Sequence, residues 1–191
     1  MGHFAPLPWT EAALDAVTRN IEFIQQYFAP RHFFIENIAY LFRVAGEMDE
    51  SSFLNRLLRR TGCGWLLDVT NVYANSLNFD FDPLEFIAEV MPAATQVQMH
   101  LAGGYYDQEV GMYIDSHSHT IPPEVWDLYR AALRLAGNRT VAVFVERDQN
   151  FPDEDGWLNE IRRVRRIAEE VARLSLESKT TSADRSLLAP E

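Results

Sequence analysis

An α/β domain with a parallel sheet is what this sequence predicts. Three observations carry the prediction. Short apolar, β-branched segments alternate with longer segments of helical period. The short segments are apolar nearly throughout, the pattern of strands covered on both faces. Each ends in a polar side chain: Glu36, Asp68 and His100 follow one another at intervals of 32 residues, and Glu146 comes 46 residues later. An interval near 30 residues matches one strand-plus-helix unit of an eight-fold barrel, which takes about 250 residues for eight units.

The elements follow in chain order. Thr10 after PLPW is an N-cap, and Leu14, Val17, Ile21, Ile24, Tyr27 and Phe28 then fall at helical spacing. HFFIEN is the first strand. Asp49 caps a second helix with Phe53, Leu54, Leu57 and Leu58 on one face, and the glycines of TGCG stop it. GWLLDV (64–69) is the next strand, and NVYANSLN is either a short helix or an ordered loop. Asp82-Pro83 opens the helix DPLEFIAEVM. QVQMH (96–100) is a strand, and MYID (112–115) is a short extended piece. PPEVWDLYRAALRLAG is helical, TVAVFVE (140–146) is a strand, and GWLNEIRRVRRIAEEVARL is the last helix. Residues 1–176 are expected to form the folded domain and 177–191 a disordered polar tail.

The totals exclude some classes. The 191 residues suffice for one core. No apolar run reaches the length of a membrane span, and no basic-then-apolar signal peptide opens the chain. Cys63 is the single cysteine, so a cytoplasmic setting is expected. A formal charge of −11 disfavours nucleic acid and anionic membranes as partners.

In a barrel of parallel strands all the C-terminal strand ends face one bowl. Glu36, Asp68, His100 and Glu146 then point into it together. Crowded carboxylates raise one another's pKa unless a cation neutralises them. Two Glu, one Asp and one His suit a divalent first-row metal. Asn71 lies three residues after Asp68, and Asp115 and His117 stand two apart in IDSH, on one side of an extended backbone. These three make a second cluster, and Glu36 is the expected bridge. Taken alone, each residue has a plainer reading: Asp68 as a helix cap, Asn71 as a turn residue, the basic run RRVRRIAEE as a solvated helix face. His119 reads as solvated, and Tyr105 and Tyr106 as a loop over the site. His32 and Cys63 fall at the opposite strand end, and Met48, Met91, Met99 and Met112 read as core. Joint placement at regular spacing favours the metal.

The segments PLPWTEAALD, IENI, TGCGWLLDVTNVYANS, FDP, HLAG, IDSH and VERD resemble the multinuclear non-haem iron oxidases, a family that includes the methanobactin-biosynthesis oxidase. The resemblance runs from about residue 2 to residue 170 and implies a TIM barrel of the xylose isomerase-like type. It implies Asp68, His100 and Glu146 as ligands of one iron, Asn71, Asp115 and His117 of another, and Glu36 as the bridging carboxylate. Two or three ions cycling between Fe(II) and Fe(III) are the implied cofactors. A cysteine-containing precursor peptide is the implied substrate, with a leader-recognition protein as partner.

Three departures stand out. The family is longer at the start, so this chain is expected to hold only the C-terminal half to two-thirds of the barrel, without two further histidines. His3 is not assigned as a ligand. Gly104 and Thr70 replace a family His and Asn. Half a barrel exposes strand edges and apolar faces, so the chain alone is expected to be poorly soluble or inactive unless something completes the sheet. Zinc is the alternative metal, in a phosphoesterase of the endonuclease type. A sugar isomerase is disfavoured because Lys179 is the only lysine. A truncated, non-catalytic metal-binding remnant is the remaining rival.

Overall fold

The computed structural model describes residues 5–28 and 33–186. His3 and His32 lie outside them. Contacts divide the chain into two units, residues 1–151 and 152–191.

Helix α1 (Glu11–Phe28) starts where Thr10 Oγ1 accepts the Ala13 N–H at 3.2 Å. The short strand β1 (Phe34–Glu36) follows. Asp49 caps α2 (Glu50–Thr61) by accepting the Ser52 N–H, and Gly62 ends it in the left-handed region at φ 63°. Strand β2 (Gly64–Asp68) runs directly into α3 (Val69–Phe79). The segment left open between helix and loop is therefore helical. Asn75 shows why its polar composition does not break it: the side chain accepts the Tyr40 N–H and donates to the Ile38 carbonyl. Asp82 caps α4 (Pro83–Val90), and a 3₁₀ turn at Met91–Ala93 leads into β3 (Val97–Leu101).

Tyr105 and Tyr106, expected in a loop, instead form β4 (Tyr105–Asp107), paired antiparallel with β5 (Met112–Ile114). Asp107 Oδ1 accepts the N–H groups of Glu109 and Val110 and so shapes the turn between them. Helix α5 (Pro123–Ala136) and strand β6 (Thr140–Val145) complete the first unit. The second unit carries α6 (Glu154–Ser186), whose backbone continues into the segment expected to be a tail.

Strands β1, β2, β3 and β6 form one four-stranded parallel sheet in that order. This is a mixed α/β fold. Partners in register point to the same side of a sheet. Trp65 pairs with Val97 and Leu67 with Met99, and all four are fully buried. The other face carries Leu66 and Asp68, Gln98 and His100, Ala142 and Phe144 in successive strands. Burial on both faces was expected for every strand. It fails on β6, where Phe144 is 49% exposed. The reason is that β6, like β1, is an outer strand of the sheet. Among the described residues no helix is long and apolar enough to cross a membrane.

Candidate metal centre

Parallel register brings the strand-end residues to one edge of the sheet. Asp68 and His100 are direct cross-strand partners. Glu36 ends β1, and Glu146 follows β6 with its N–H bonded to the Leu101 carbonyl at 2.9 Å. His100 Nδ1 lies 2.9 Å from Glu146 Oε1 and 3.9 Å from Glu36 Oε1. Ligand atoms of Glu36, Asp68 and His100 fall within 4.8 Å of one another, and so do those of Asp68, His117 and Glu146. Asp68 therefore belongs to both groups. Glu146 spans them as well, since its Oε2 is 3.4 Å from His117 Nδ1.

The loop residues join through β5, whose last residue, Ile114, precedes Asp115. Asp115 Oδ2 and His117 Nε2 are 3.0 Å apart. His117 has φ of 50°, a left-handed conformation rare for a residue with a side chain. The surroundings hold it there: its carbonyl accepts the Asp148 N–H at 2.8 Å, and the next two N–H groups, of Ser118 and His119, both reach the Gly103 carbonyl. Asp148 Oδ2 is also 3.6 Å from His117 Nδ1. His119 is exposed, with Nδ1 2.8 Å from Ser118 Oγ.

Asp68 fulfils its plain reading and retains an atom beyond it. Oδ1 caps α3 by accepting the Asn71 N–H at 2.7 Å. Oδ2 is buried without any hydrogen-bond partner. Asn71 donates its Nδ2 to the Asn37 carbonyl, which leaves its Oδ1 buried and unpaired. Asp115 Oδ1 is in the same condition. His100 Nδ1 likewise makes no aligned hydrogen bond, even though a carboxylate oxygen is 2.9 Å away. Orphaned buried acceptors cost on the order of 1–3 kcal/mol each, more when charged. Two of these orphans, on Asp68 and His100, belong to residues whose ligand atoms group with Glu36 within 4.8 Å. Such a donor set suits a divalent first-row cation.

The electrostatics agree. Burial pushes the Asp68 carboxyl well above its usual range, and nearby Asp115 pushes it further. Burial raises Glu36 too, with Glu146 and Asp115 adding to it against the pull of His100 and His117. The hydrogen bond to Asp115 lifts His117 to about 9, assisted by the charges of Asp115, Asp68 and Glu146 and opposed by burial. The His100 ring beside it lowers Glu146. Protons thus compensate the clustered charge, and a bound cation would replace them.

Three residues around the cluster were not foreseen in these roles. Asn37 is buried and joins β1 to β2: its Oδ1 accepts from Trp65 Nε1 and the Asp68 N–H, and its Nδ2 donates to the Asp68 carbonyl. The only trace in the sequence is an amide following the strand-end acid. Thr70 Oγ1 both donates to the Ala102 carbonyl and accepts the Ala102 N–H, tying α3 to the end of β3. At Gly104 an added Cβ would lie 2.1 Å from the Ile114 carbonyl oxygen, so β5 passes too close for any side chain. Cys63 is buried at the start of β2, the opposite strand end, 3.1 Å from Thr61 Oγ1.

The sequence matches, over residues 1–169, the family described as RiPP precursor modification enzyme MbnB/TglH/ChrH. Similar proteins include a UPF0276 protein of Rhizorhabdus wittichii, 39% identical over 163 residues, which covers 85% of this chain and 56% of that relative. A UPF0276 protein of an Anaeromyxobacter species is 37% identical over 164 residues, with the same two shares of 85% and 56%. One of Bordetella pertussis is 39% identical over 163 residues, covering 83% of this chain and 55% of its own. The chain thus spans just over half the length of these relatives. With that match over most of its length, the chain belongs to the MbnB/TglH/ChrH family of RiPP precursor modification enzymes.

Proposed function

We propose that the strand-end cluster holds two iron ions and serves an O₂-dependent oxidation at a cysteine of a ribosomally made precursor peptide. One observation carries the reading: Asp68, with a buried and unpartnered oxygen, groups with Glu36 and His100 on one side and with His117 and Glu146 on the other, ligand atoms of each set lying within 4.8 Å. The family match supports the peptide as substrate class. Glu36, Asp68, His100 and Glu146 would hold one ion, and Asn71, Asp115 and His117, with Asp68 and Glu146 reaching across, the other. Bound iron would supply a Lewis acid for the substrate thiolate and the electrons exchanged with O₂.

The chain's own residues do the positioning. Asp68 and Glu146, each facing both groups, would hold the two sites together more directly than Glu36. Glu36 stands on the outer strand β1 with its side chain 39% exposed. That exposed position would face the interior of a completed TIM barrel of the xylose isomerase-like type. Asp115 orients the His117 ring, while Asn37 and Thr70 lock the strand ends in place. Tyr105 and Tyr106 are exposed on β4, where they would border the approach of an extended peptide. A leader-recognition protein would present that peptide. The charge of −11 disfavours a nucleic-acid substrate, and a cytoplasmic setting would keep Cys63 and the substrate thiol reduced.

The test is anaerobic loading with Fe(II), metal analysis, and oxygen uptake with a cysteine-containing precursor peptide and its leader-binding partner. Two irons per chain and uptake that vanishes when the peptide cysteine is changed to serine are expected. Zinc uptake with phosphodiester hydrolysis would replace this reading by the phosphoesterase. Absence of bound metal would leave a non-catalytic remnant.

A further inference from the structure

The two ring nitrogens of His100 face different chemistry. Nδ1 looks at carboxylates, 2.9 Å from Glu146 and 3.9 Å from Glu36. Nε2 looks along β3 at the side-chain amide nitrogen of Gln98, 3.5 Å away, and the two ends of that amide exchange by half a turn. Gln98 lies two residues before His100 on the same face of the sheet. Its cross-strand neighbours, Leu66 and Ala142, have no polar side-chain atom to offer it. The Phe144 ring packs edge-on against the imidazole at 5.5 Å, so the plane of His100 is set from the side.

A metal held by Nδ1 needs that nitrogen's lone pair, which puts the ring proton on Nε2. Nε2–H then requires an acceptor. Without metal the proton can sit on Nδ1 toward Glu146, and Nε2 then requires a donor. A primary amide satisfies both, since half a turn about its last torsion exchanges oxygen for NH₂. Glutamate could only accept, lysine could only donate, and leucine could do neither.

We propose that Gln98 is a positioning residue for His100: turned so that its amide oxygen accepts Nε2–H, it supports the tautomer whose Nδ1 is free to bind metal. The proposal rests on the metal reading given above, and it concerns a residue outside the ligand set. Gln98 acts through His100 and touches no ion itself. Partners of this kind, on the far nitrogen of a ligating histidine, typically change metal affinity by about 10–100-fold when removed.

The full chain titrated anaerobically with Co(II) provides the test, with Gln98→Leu, Gln98→Glu and His100→Ala compared with the parent and circular dichroism as the check on folding. In the parent, proton NMR of the Co(II) form should show a strongly shifted, solvent-exchangeable imidazole N–H. Gln98→Leu should weaken one of the two binding steps about 10–100-fold, leave the other unchanged, and speed exchange of that proton. Gln98→Glu should restore both the affinity and the slow exchange, because a carboxylate accepts from Nε2–H. Equal losses in the Leu and Glu variants would mean that Gln98 only packs, and would overturn the proposal. Unchanged affinity and exchange in Gln98→Leu, with Co(II) still bound, would overturn it while leaving the metal centre intact. A parent chain that binds no Co(II) would overturn both.

Discussion

Two regions of this molecule collect acidic side chains, and they handle them in opposite ways. The cleft between α2 and α4 is lined by Asp49, Glu50, Asp82, Glu85 and Glu89 together with Trp9, Arg43, Phe81 and Phe86, around a cavity of roughly 320 Å³. Nearly every acid there has a structural partner. Asp49 and Asp82 cap their helices, Glu89 meets Ser51 Oγ, and Glu50 accepts the Tyr40 hydroxyl at 2.8 Å. Glu85 points to solvent. At the strand ends the acids also cap and pair, yet Asp68 and Asp115 each retain a buried oxygen with no partner. The contrast shows what separates a ligand-seeking cluster from a structural one. Charge and carboxylate number are similar in the two, and the unmet hydrogen-bonding capacity is not.

Substituting Asp68 should divide the regions most sharply. Asp68→Asn preserves the α3 cap through its oxygen but removes the charge common to both ligand groups. Both metal equivalents should be lost on metal analysis, whereas Glu50→Gln should leave the metal content unchanged. Loss of metal in the second variant would erase the comparison.

Loading comes next in size. Fe(II) or Co(II) at a thousand times its dissociation constant should stabilise the chain by about 4 kcal/mol, read as a rise in Tm of about 10 °C and reversed by chelator. Asp68→Asn should abolish that rise.

Glu50 gives the cleft its own signature. Burial raises its pKa to about 7, while the Tyr40 hydroxyl and Arg43 pull against the shift. Its folded pKa exceeds the unfolded one, so the neutral form favours folding. That stability is complete below pH about 4.5 and is lost as pH rises through about 7. Glu50→Gln should therefore gain about 1–3 kcal/mol over the parent at pH 8 and nothing at pH 4, by denaturant titration. The smallest effect is expected from Asp82→Ala, a loss of about 1 kcal/mol from the α4 cap at neutral pH with metal affinity unchanged.

Much of the fold was legible because it rests on local patterns. The helix starts at Thr10, Asp49 and Asp82 are carried by single side chains reaching nearby N–H groups. The strands at 64–68 and 140–145 stand out as apolar runs, and that at 97–101 by its alternation of apolar and polar residues. The hairpin at Tyr105 was not legible, since its pairing depends on a turn organised by Asp107. At α3 the pattern leaves helix and ordered loop both open, because its asparagines look like turn formers until the backbone at residues 37–40 arrives to take their hydrogen bonds. The placement of seven ligand candidates at one end of the chain's strands was inferred from spacing and from family likeness together.

By itself the sequence determined the alternation of strands and helices, the caps, and which residue types stand at each strand end. Those are fixed by periodicity and by interactions spanning a few residues. Tertiary structure alone decided that Asp68 and Glu146 face both ligand groups, that Asn37 ties the strand tops together, and that Gln98 lies behind His100. Each of these depends on strand register and on which way a side chain turns. Both are set by packing between segments far apart in the chain, where a local pattern has no reach.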